Sequence, residues 1–409
     1  MSNHPAGAYA LALASLPGIG PATLAGLLRS ASPQEVWESV LAGRVQRPEP
    51  QGQLALGGMA SRGRPQRRSW SDAARLFPLE ERWQAAVGGG IGVTWLGGPD
   101  YPPRLAADLE PPGVIFWKGG VDILCRPCVA VVGTRKATPE GVRAAGEIAE
   151  GLADAGVIVV SGIALGIDGA AHRGALRSPG LPGLPSASVT IGVAASGVDV
   201  PYPVRHRYLW EEIVARGTVI SESPPGRPAQ SWRFPSRNRV IAALARFVVV
   251  VESGETGGSM HTVESAMKRG IDVGAVPGPV HSPASAGTNR LLFEGAFPVR
   301  SAEDVLGYLS LEASSGTPPD HGDGQRDHGP PRVGGEQRRH RSRGVPGQGR
   351  PEVPLAHQPV LQAVGWTPAS LSRVVDRCGL TLPAVAASLD WLEQHRWVEE
   401  GGGMWCRRS

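Results

Sequence analysis

The chain has 409 residues, with 41 Lys and Arg against 37 Asp and Glu and a formal net charge of +4. That length admits two or three domains and at least one sizeable core, and the mild basicity is compatible with a polyanionic partner without demanding one. No run of about 18 apolar residues exists, which excludes a membrane-spanning helix, and "MSNHPAGAYALALASLPGIG" lacks the basic flank and long apolar core of a secretory signal. A soluble cytoplasmic protein is the expectation.

In chain order, residues 1 to about 43 read as short helices around the turn "LPGIGPATL", and 44 to about 70 as an arginine-bearing loop. Together they give an N-terminal helical domain over 1–75. The next domain, 76–310, alternates apolar runs with amphipathic segments such as "PEGVRAAGEIAEGLADAG" (Pro139–Gly156). Its strand candidates are Val129–Val132, Val157–Val160, Val189–Ala195, Thr218–Ile220, Phe247–Val251 and Asp272–Val276. Continuous Val/Ile runs separated by helices mean a parallel sheet covered on both faces. The fold class is therefore α/β, an extended Rossmann-like doubly wound sheet. Residues 311–352 carry Gly, Pro and charge without periodicity and read as a disordered linker. Residues 353–409 read as three short helices and a closing hairpin, a winged-helix-like domain.

The four cysteines are Cys125, Cys128, Cys378 and Cys406. The first two form "CRPC", but a redox motif of that kind follows a strand and opens a helix, whereas this one precedes the apolar run "VAVV". With no second C-x-x-C or His pair nearby, reduced thiols in a strand lead-in are expected, and no metal site.

In a doubly wound sheet, ligands bind beyond the carboxyl ends of the strands. The turns there are "GTRKATPEG", with Gly133 and Arg135; "SGIALGIDGAAH", with Ser161, Gly162, Gly166, Asp168 and His172; "SES"; and "ESGETGGSMHT", with Gly257, Gly258, Ser259 and Thr262. Each offers backbone N–H groups and small or hydroxylic side chains, and helix N-termini are ready-made anion sites. The stretch "FPSRNRVIAALARFVVVV" (Phe234–Val251) adds a puzzle. If Ser236 is the N-cap, Arg237 and Arg239 sit in the first turn, where the macrodipole is already positive. An anion, most simply phosphate, would accommodate both, together with Arg135. The alternative is internal ion pairing with Glu222 or Glu252.

A dinucleotide fingerprint needs G-x-G-x-x-G after the first strand, and a P-loop needs G-x-x-x-x-G-K-[ST]; neither is present. No cofactor is expected. Asp168 and His172, four apart at a helix start, can touch, and read as a local hydrogen bond rather than a catalytic pair. Glu252 and Glu255 beside the Gly-rich turn keep a hydrolase alternative open.

These residues together resemble the DprA/Smf family of DNA-processing proteins over roughly Pro99 to Leu309. "AVVGTRKATPEG", "VVSGIALGIDGAAHRGAL", "VDVPYP", "VISESPPG", "FPSRNRVIAALARFVVVVE", "GGSMHTVESAMKRG" and "VPGPVHSPASAGTNRLLFEGA" follow the family's order. The resemblance implies a non-enzymatic single-stranded DNA binder, usually a homodimer, that protects incoming DNA and loads the RecA recombinase during natural transformation. It also implies a DNA pocket of Arg135, the "SGIALGID" loop, Phe234, Arg237, Asn238, Arg239, Gly258, Ser259 and Thr262. Phe234 suits this because an aromatic face can stack a base, at ~1–3 kcal/mol. Where some relatives carry a lysine, this chain has Ser231, and Arg233 is expected to substitute from another direction. "RSPGLPGLPSASVTIGVAASGVD" is longer than the family's usual link and is expected to be a surface loop.

The flanks fit the same picture. "LASLPGIGPATLAGLL" looks like a helix-hairpin-helix within a SAM-like domain, with a DNA-contacting or a purely structural turn. In the tail, "TLPAVAASLDWLEQH" has almost no cations, with Asp390 and Glu393 facing outward, so a protein contact or regulatory role is expected rather than duplex reading. The competing class is a Rossmann enzyme of the nucleotide phosphoribohydrolase kind (lonely-guy or lysine-decarboxylase-like). "SGETGGSMHTVES" keeps Thr262 of that group's glycine-rich turn but differs in the rest.

Overall fold

The computed structural model describes residues 4–45, 69–180 and 188–315, and then 353–354, 356–364, 369–395, 397–401 and 404–407. Most of the arginine-bearing loop, the segment 181–187 within the expected insertion and the expected linker from 316 onward lie outside the described residues. The chain forms two compact units, Met1–Pro318 and Pro319–Ser409. Among the described residues no helix is long and apolar enough to cross a membrane.

The first unit opens with α1 (Ala6–Ser15), α2 (Pro21–Ser30), α3 (Pro33–Leu41), α4 (Trp70–Arg75) and α5 (Leu79–Gly88). The chain then enters the sheet through β1 (Gly92–Trp95), α6 (Pro103–Ala106) and β2 (Val114–Gly119). It continues through β3 (Cys128–Val132), α7 (Pro139–Asp154), β4 (Ile158–Ser161), α8 (Ile167–Arg177), β5 (Thr190–Val193), α9 (Arg207–Arg216) and β6 (Gly217–Ser221). After these come α10 (Arg233–Leu244), β7 (Ala245–Val250), α11 (Met260–Met267), β8 (Asp272–Ala275), α12 (Ala286–Phe293), β9 (Phe297–Pro298) and α13 (Ala302–Ser315). Helix α13 thus continues past residue 310, into the stretch read from sequence as linker.

The nine strands run in the order β1-β2-β6-β5-β4-β3-β7-β8-β9. All six expected strands are present, as β3 to β8, and pair in parallel across the centre. The unexpected part is the antiparallel edge, where β1 pairs with β2 and β2 with β6. Side chains alternate between two buried faces, as the pleat requires. In β3, Cys128, Ala130 and Val132 enter one core with Val240 and Ile241 of α10; Val129 and Val131 enter another with Ile148 of α7. Burial on both sides is why these strands read as unbroken apolar runs.

The N-terminal helices do not form a separate body. Leu11 and Leu13 of α1, Leu24 of α2 and Trp37 of α3 share a core with Phe116 of β2, Trp210 of α9 and Val219 of β6. The hairpin turn between α1 and α2 is tied from two sides: Trp70 Nε1 donates to Pro17 O (3.1 Å) and Arg227 to Ser15 O (3.2 Å). The division expected at 75/76 therefore falls inside one unit.

The second unit contains α14 (Gln358–Ala363), β10 (Ala369–Ser370), α15 (Leu371–Cys378), α16 (Leu382–Gln394), β11 (Val398–Gly401) and β12 (Met404–Arg407), with strand order β10-β12-β11. Val360, Val374, Val385, Leu389, Leu392 and Val398 make its core. The outer face of α16 exposes Asp390, Glu393 and Gln394.

Cys125 and Cys128 carry no disulfide. Cys125 is exposed, whereas Cys128 begins β3, is buried, and donates its S–H to Arg126 O at 3.2 Å. Burial pushes the Cys128 thiol up to about 12. Iodoacetamide applied to the native protein should therefore alkylate Cys125 and spare Cys128 until denaturant is added, as read by peptide mass spectrometry. Equal labelling in the native state would contradict this packing.

Candidate nucleic-acid interface

Backbone hydrogen bonds lace the strand-end turns together. Thr134 N–H donates to Glu252 O (2.7 Å), joining the turn after β3 to the turn after β7. Ile167 N–H donates to Thr134 O (3.2 Å), joining the turn after β4. Gly166 makes that junction possible: its φ is +79°, and a Cβ there would lie 2.3 Å from Thr134 O. Glu252 is buried, and both its carboxylate oxygens are used by Thr138, accepting from the backbone N–H at 2.9 Å and the hydroxyl at 2.6 Å. Thr138 Oγ1 in turn accepts from Gly141 N–H (3.0 Å) as the N-cap of α7.

Helix α10 begins at Arg233, one turn earlier than the Ser236 cap expected from sequence. Trp232 precedes it without a side-chain cap, and Pro235 falls in the first turn, where a missing N–H costs little. Arg237 and Arg239 therefore lie in the second turn, and both are engaged by the fold. Arg237 is buried and donates Nη1 to Gly162 O at the end of β4 and to Val193 O at the end of β5. Its Nε donates to Asn238 Oδ1 (3.1 Å), and Asn238 Nδ2 reaches Gly258 O (3.2 Å). Asp168, also buried, lies across Gly162: a Cβ on that glycine would meet Arg237 Nη1 at 2.5 Å and Asp168 Oδ2 at 2.6 Å. Burial lowers the Arg237 guanidinium to about 10 against the pull of Asp168, and raises the Asp168 carboxyl against the pull of Arg237.

Arg239 pairs with Glu222 (2.5 Å), and burial pushes the Glu222 carboxyl up against that attraction. Arg233 donates to Ser223 Oγ (2.5 Å), stacks over Trp232 with its Cζ 4.5 Å from the ring centroid, and does not line the main groove. Neither Arg239 nor Arg233 is a groove cation, and the internal-pairing alternative holds for Arg239, through Glu222.

What the turns do enclose is an open groove of about 740 Å³. Of the expected residues it gathers Gly133, Arg135, Asp168, Phe234, Arg237, Asn238, Gly257, Gly258, Ser259 and Thr262. Arg135 is exposed, and its Cζ sits 5.0 Å from the centroid of the Phe234 ring, a cation–π contact. Asp168 is the one acid among the described residues lining the groove.

Besides Arg233 and Arg239, four expected residues fall outside this lining: Ser161, Gly162, Gly166 and His172. Ser161 is buried and donates to Val131 O (2.6 Å); Gly166 backs the turn after β3; His172 is buried beneath the turns. The expected contact of His172 with Asp168 gives way to one with Thr190. Thr190 donates its own hydrogen to Val159 O (2.8 Å), so His172 Nδ1 carries the proton donated to Thr190 Oγ1 (2.8 Å). Burial pushes His172 down to about 3, so the imidazole is neutral. Gly162 lines a smaller recess beside the groove. Conversely, Lys136, Tyr202 and His261 line the groove although sequence reasoning assigned them no role. Lys136 was findable, being adjacent to Arg135 in a strand-end turn. Tyr202 was visible only as part of "VDVPYP".

Residues 92–310 match the family described as DNA recombination-mediator protein A. The chain belongs to that family. It is 46% identical over 200 residues to a DNA processing protein DprA of Mycobacterium tuberculosis H37Rv, and 40% over 206 residues to that of Streptococcus pneumoniae R6. The first match covers 48% of this chain and 49% of the relative, the second 50% and 70%. The chain thus spans about half the length of the mycobacterial relative. The Smf protein of Synechocystis is 32% identical over 325 residues, 76% of this chain and 78% of that one. The crystal structure of DprA from Streptococcus pneumoniae superposes with a TM-score of 0.55 at 30% identity, covering 75% of this chain and 98% of that one.

Arg237→Ala should lower the stability of the first unit by about 3–5 kcal/mol, because it strands the buried Asp168 and two strand-end carbonyls. Arg135→Ala should change it by no more than about 1 kcal/mol. Chemical denaturation of the two variants checks this; equal, small effects would contradict the buried role of Arg237.

Proposed function

We propose that the groove holds single-stranded DNA, and that the protein protects incoming DNA and passes it to a RecA-type recombinase during uptake. The observation that carries this reading is the solvent-facing pair of Arg135 and Phe234, a cation and an aromatic ring in contact at the mouth of an open groove. A charged group that tracks phosphate beside a ring that stacks a base suits an unpaired strand of any sequence. Exposed Lys136, the N–H groups of the glycine-rich turns and membership of the recombination-mediator family support the same reading.

The binding is without chemistry of the protein's own. Asp168 is buried within the electrostatic reach of Arg237, His172 is neutral and outside the groove, and Glu252 is a helix clamp. Of the two acids that kept the hydrolase reading open, Glu252 is committed to Thr138, and Glu255 is exposed and does not line the groove. A homodimer is part of the proposal. Helices α11 and α12 pack on the same face of the sheet over β8 and leave Met267 67% and Phe293 93% exposed, apolar surface suited to a second copy. The second unit, proposed as a winged helix, is assigned to protein contact, since the outer face of α16 carries acids and no cation.

Salt titration of oligothymidylate binding tests the central point. Removing one phosphate contact should reduce the slope of log K against log salt by about 0.7 in Arg135→Ala. Phe234→Ala should weaken binding by ~1–3 kcal/mol at every salt concentration with the slope unchanged. Duplex of equal length should bind more weakly; equal affinity for duplex, or an unaltered slope in Arg135→Ala, would contradict the proposal. Light scattering should give a dimer mass that falls to a monomer in Phe293→Glu, and a persistent dimer would remove that surface from consideration.

A further inference from the structure

Tyr202 stands at the rim of the groove, on the segment between β5 and α9. Its ring centroid lies 5.7 Å from that of Phe234, with the planes tilted by 51°, and the residue is 46% exposed. Its hydroxyl has no hydrogen-bond partner among the described residues, whereas Tyr101 donates to Pro112 O and Tyr308 to Asp272. The segment is held without help from the ring. Ser196 O–H donates to Val200 O (2.6 Å), His206 N–H to Pro203 O (2.9 Å), and the His206 Nδ1–H to Ile163 O (3.0 Å). Tyr202 and Phe234 together line both the main groove and the adjoining recess of about 80 Å³, which is closed by Gly162, Leu165, Ala195 and Pro203.

A large ring left half in water, on a backbone already fixed, is an unfilled contact surface prepared before any ligand arrives. It cannot form one side of a sandwich with Phe234. A base between two rings needs roughly twice the ~3.5–4 Å carbon contact distance, more than the 5.7 Å present. Tyr202 instead offers a face of its own, at 51° to the plane of Phe234.

We propose that Tyr202 is a second base-stacking residue, so that two bases of one unpaired strand rest on two separate rings. This deepens the reading of the groove as a single-strand site and rests on it. Stacking makes no use of base edges, so the second platform adds affinity without sequence preference. Its contribution does not require Phe234, because each ring engages a different base.

The test compares the full-length wild type with Tyr202→Ala, Tyr202→Phe, Phe234→Ala and the Tyr202→Ala/Phe234→Ala double variant. Each is measured on oligothymidylate and on an abasic phosphodiester of the same length. Tyr202→Ala should weaken oligothymidylate binding about 5-fold or more, Tyr202→Phe should keep the wild-type affinity, and the Tyr202→Ala loss should persist in the Phe234→Ala background. Binding to the abasic strand should be unchanged in all of them. A Tyr202→Ala loss that vanishes in the Phe234→Ala background would show that Tyr202 only props Phe234, and would overturn the proposal. Photocrosslinking of 5-iododeoxyuridine oligonucleotide to the wild type gives a second readout that needs no variant to fold. A crosslinked peptide containing Tyr202 is expected, and crosslinks at Phe234 alone would also overturn it. Loss of neither affinity nor crosslinking at Phe234 would instead refute the single-strand reading itself.

Discussion

Arg237 holds the carboxyl end of the sheet together. Parallel strands that stop short of their neighbours leave carbonyl oxygens without partners, and buried carbonyls without partners are costly. Helix α10 crosses over β4 and β5 and sends down one side chain whose Nη1 answers both, at Gly162 and Val193, while its Nε reaches Asn238. A planar guanidinium with five donors can do this; a lysine ammonium, with a single point of attachment, cannot. Asp168 supplies the opposite charge beside Arg237, both groups filling the space a Cβ on Gly162 would occupy. The neutral, cross-braced floor that results fixes the turns from three strands and lets the groove keep its shape empty.

That arrangement separates two kinds of arginine. Those on α10 are consumed by the fold: Arg233 by Ser223 and Trp232, Arg237 by the strand ends, Arg239 by Glu222. Arg135 and Lys136, on the backbone-bonded turn after β3, are the exposed cations of the groove lining among the described residues. The surface offered to a ligand is therefore less positive than its arginine content implies. Affinity must draw correspondingly more on the aromatic rings and on the N–H groups of the glycine-rich turns. Of the titratable groups in the buried layer, His172 is neutral and lies outside the groove lining, and Glu252 is committed to Thr138.

Much of this was legible in the sequence. The six central strands announced themselves because burial on both faces writes continuous Val and Ile runs, and the rule that ligands sit beyond strand carboxyl ends then pointed to turns that line one groove. The edge strands did not. "GVTW" is too short, and "VIFWKG" mixes a lysine and a glycine into a strand whose partner lies about a hundred residues away at β6. The roles of the arginines were beyond the sequence for a specific reason. Reading Ser236 rather than Trp232 as the cap placed the start of α10 four residues late, which put Arg237 and Arg239 among the free N–H groups of a first turn instead of in the second turn, against the strand ends and Glu222. The true start has no side-chain cap to announce it. His172 was misassigned similarly, since Asp168 at four residues' distance is a plausible partner until Thr190, eighteen residues on, proves nearer.

The division between bracing and binding arginines is open to direct observation. Arginine Nε–Hε resonances, assigned by single Arg→Lys replacements, report both hydrogen exchange and contact in one spectrum during titration with oligothymidylate. Arg237 should give a sharp signal, slow to exchange in the unliganded protein and unmoved by the oligonucleotide, while Arg135 exchanges fast and shifts on binding. A fast-exchanging Arg237 that gains protection only when the strand is added would contradict the account at its base.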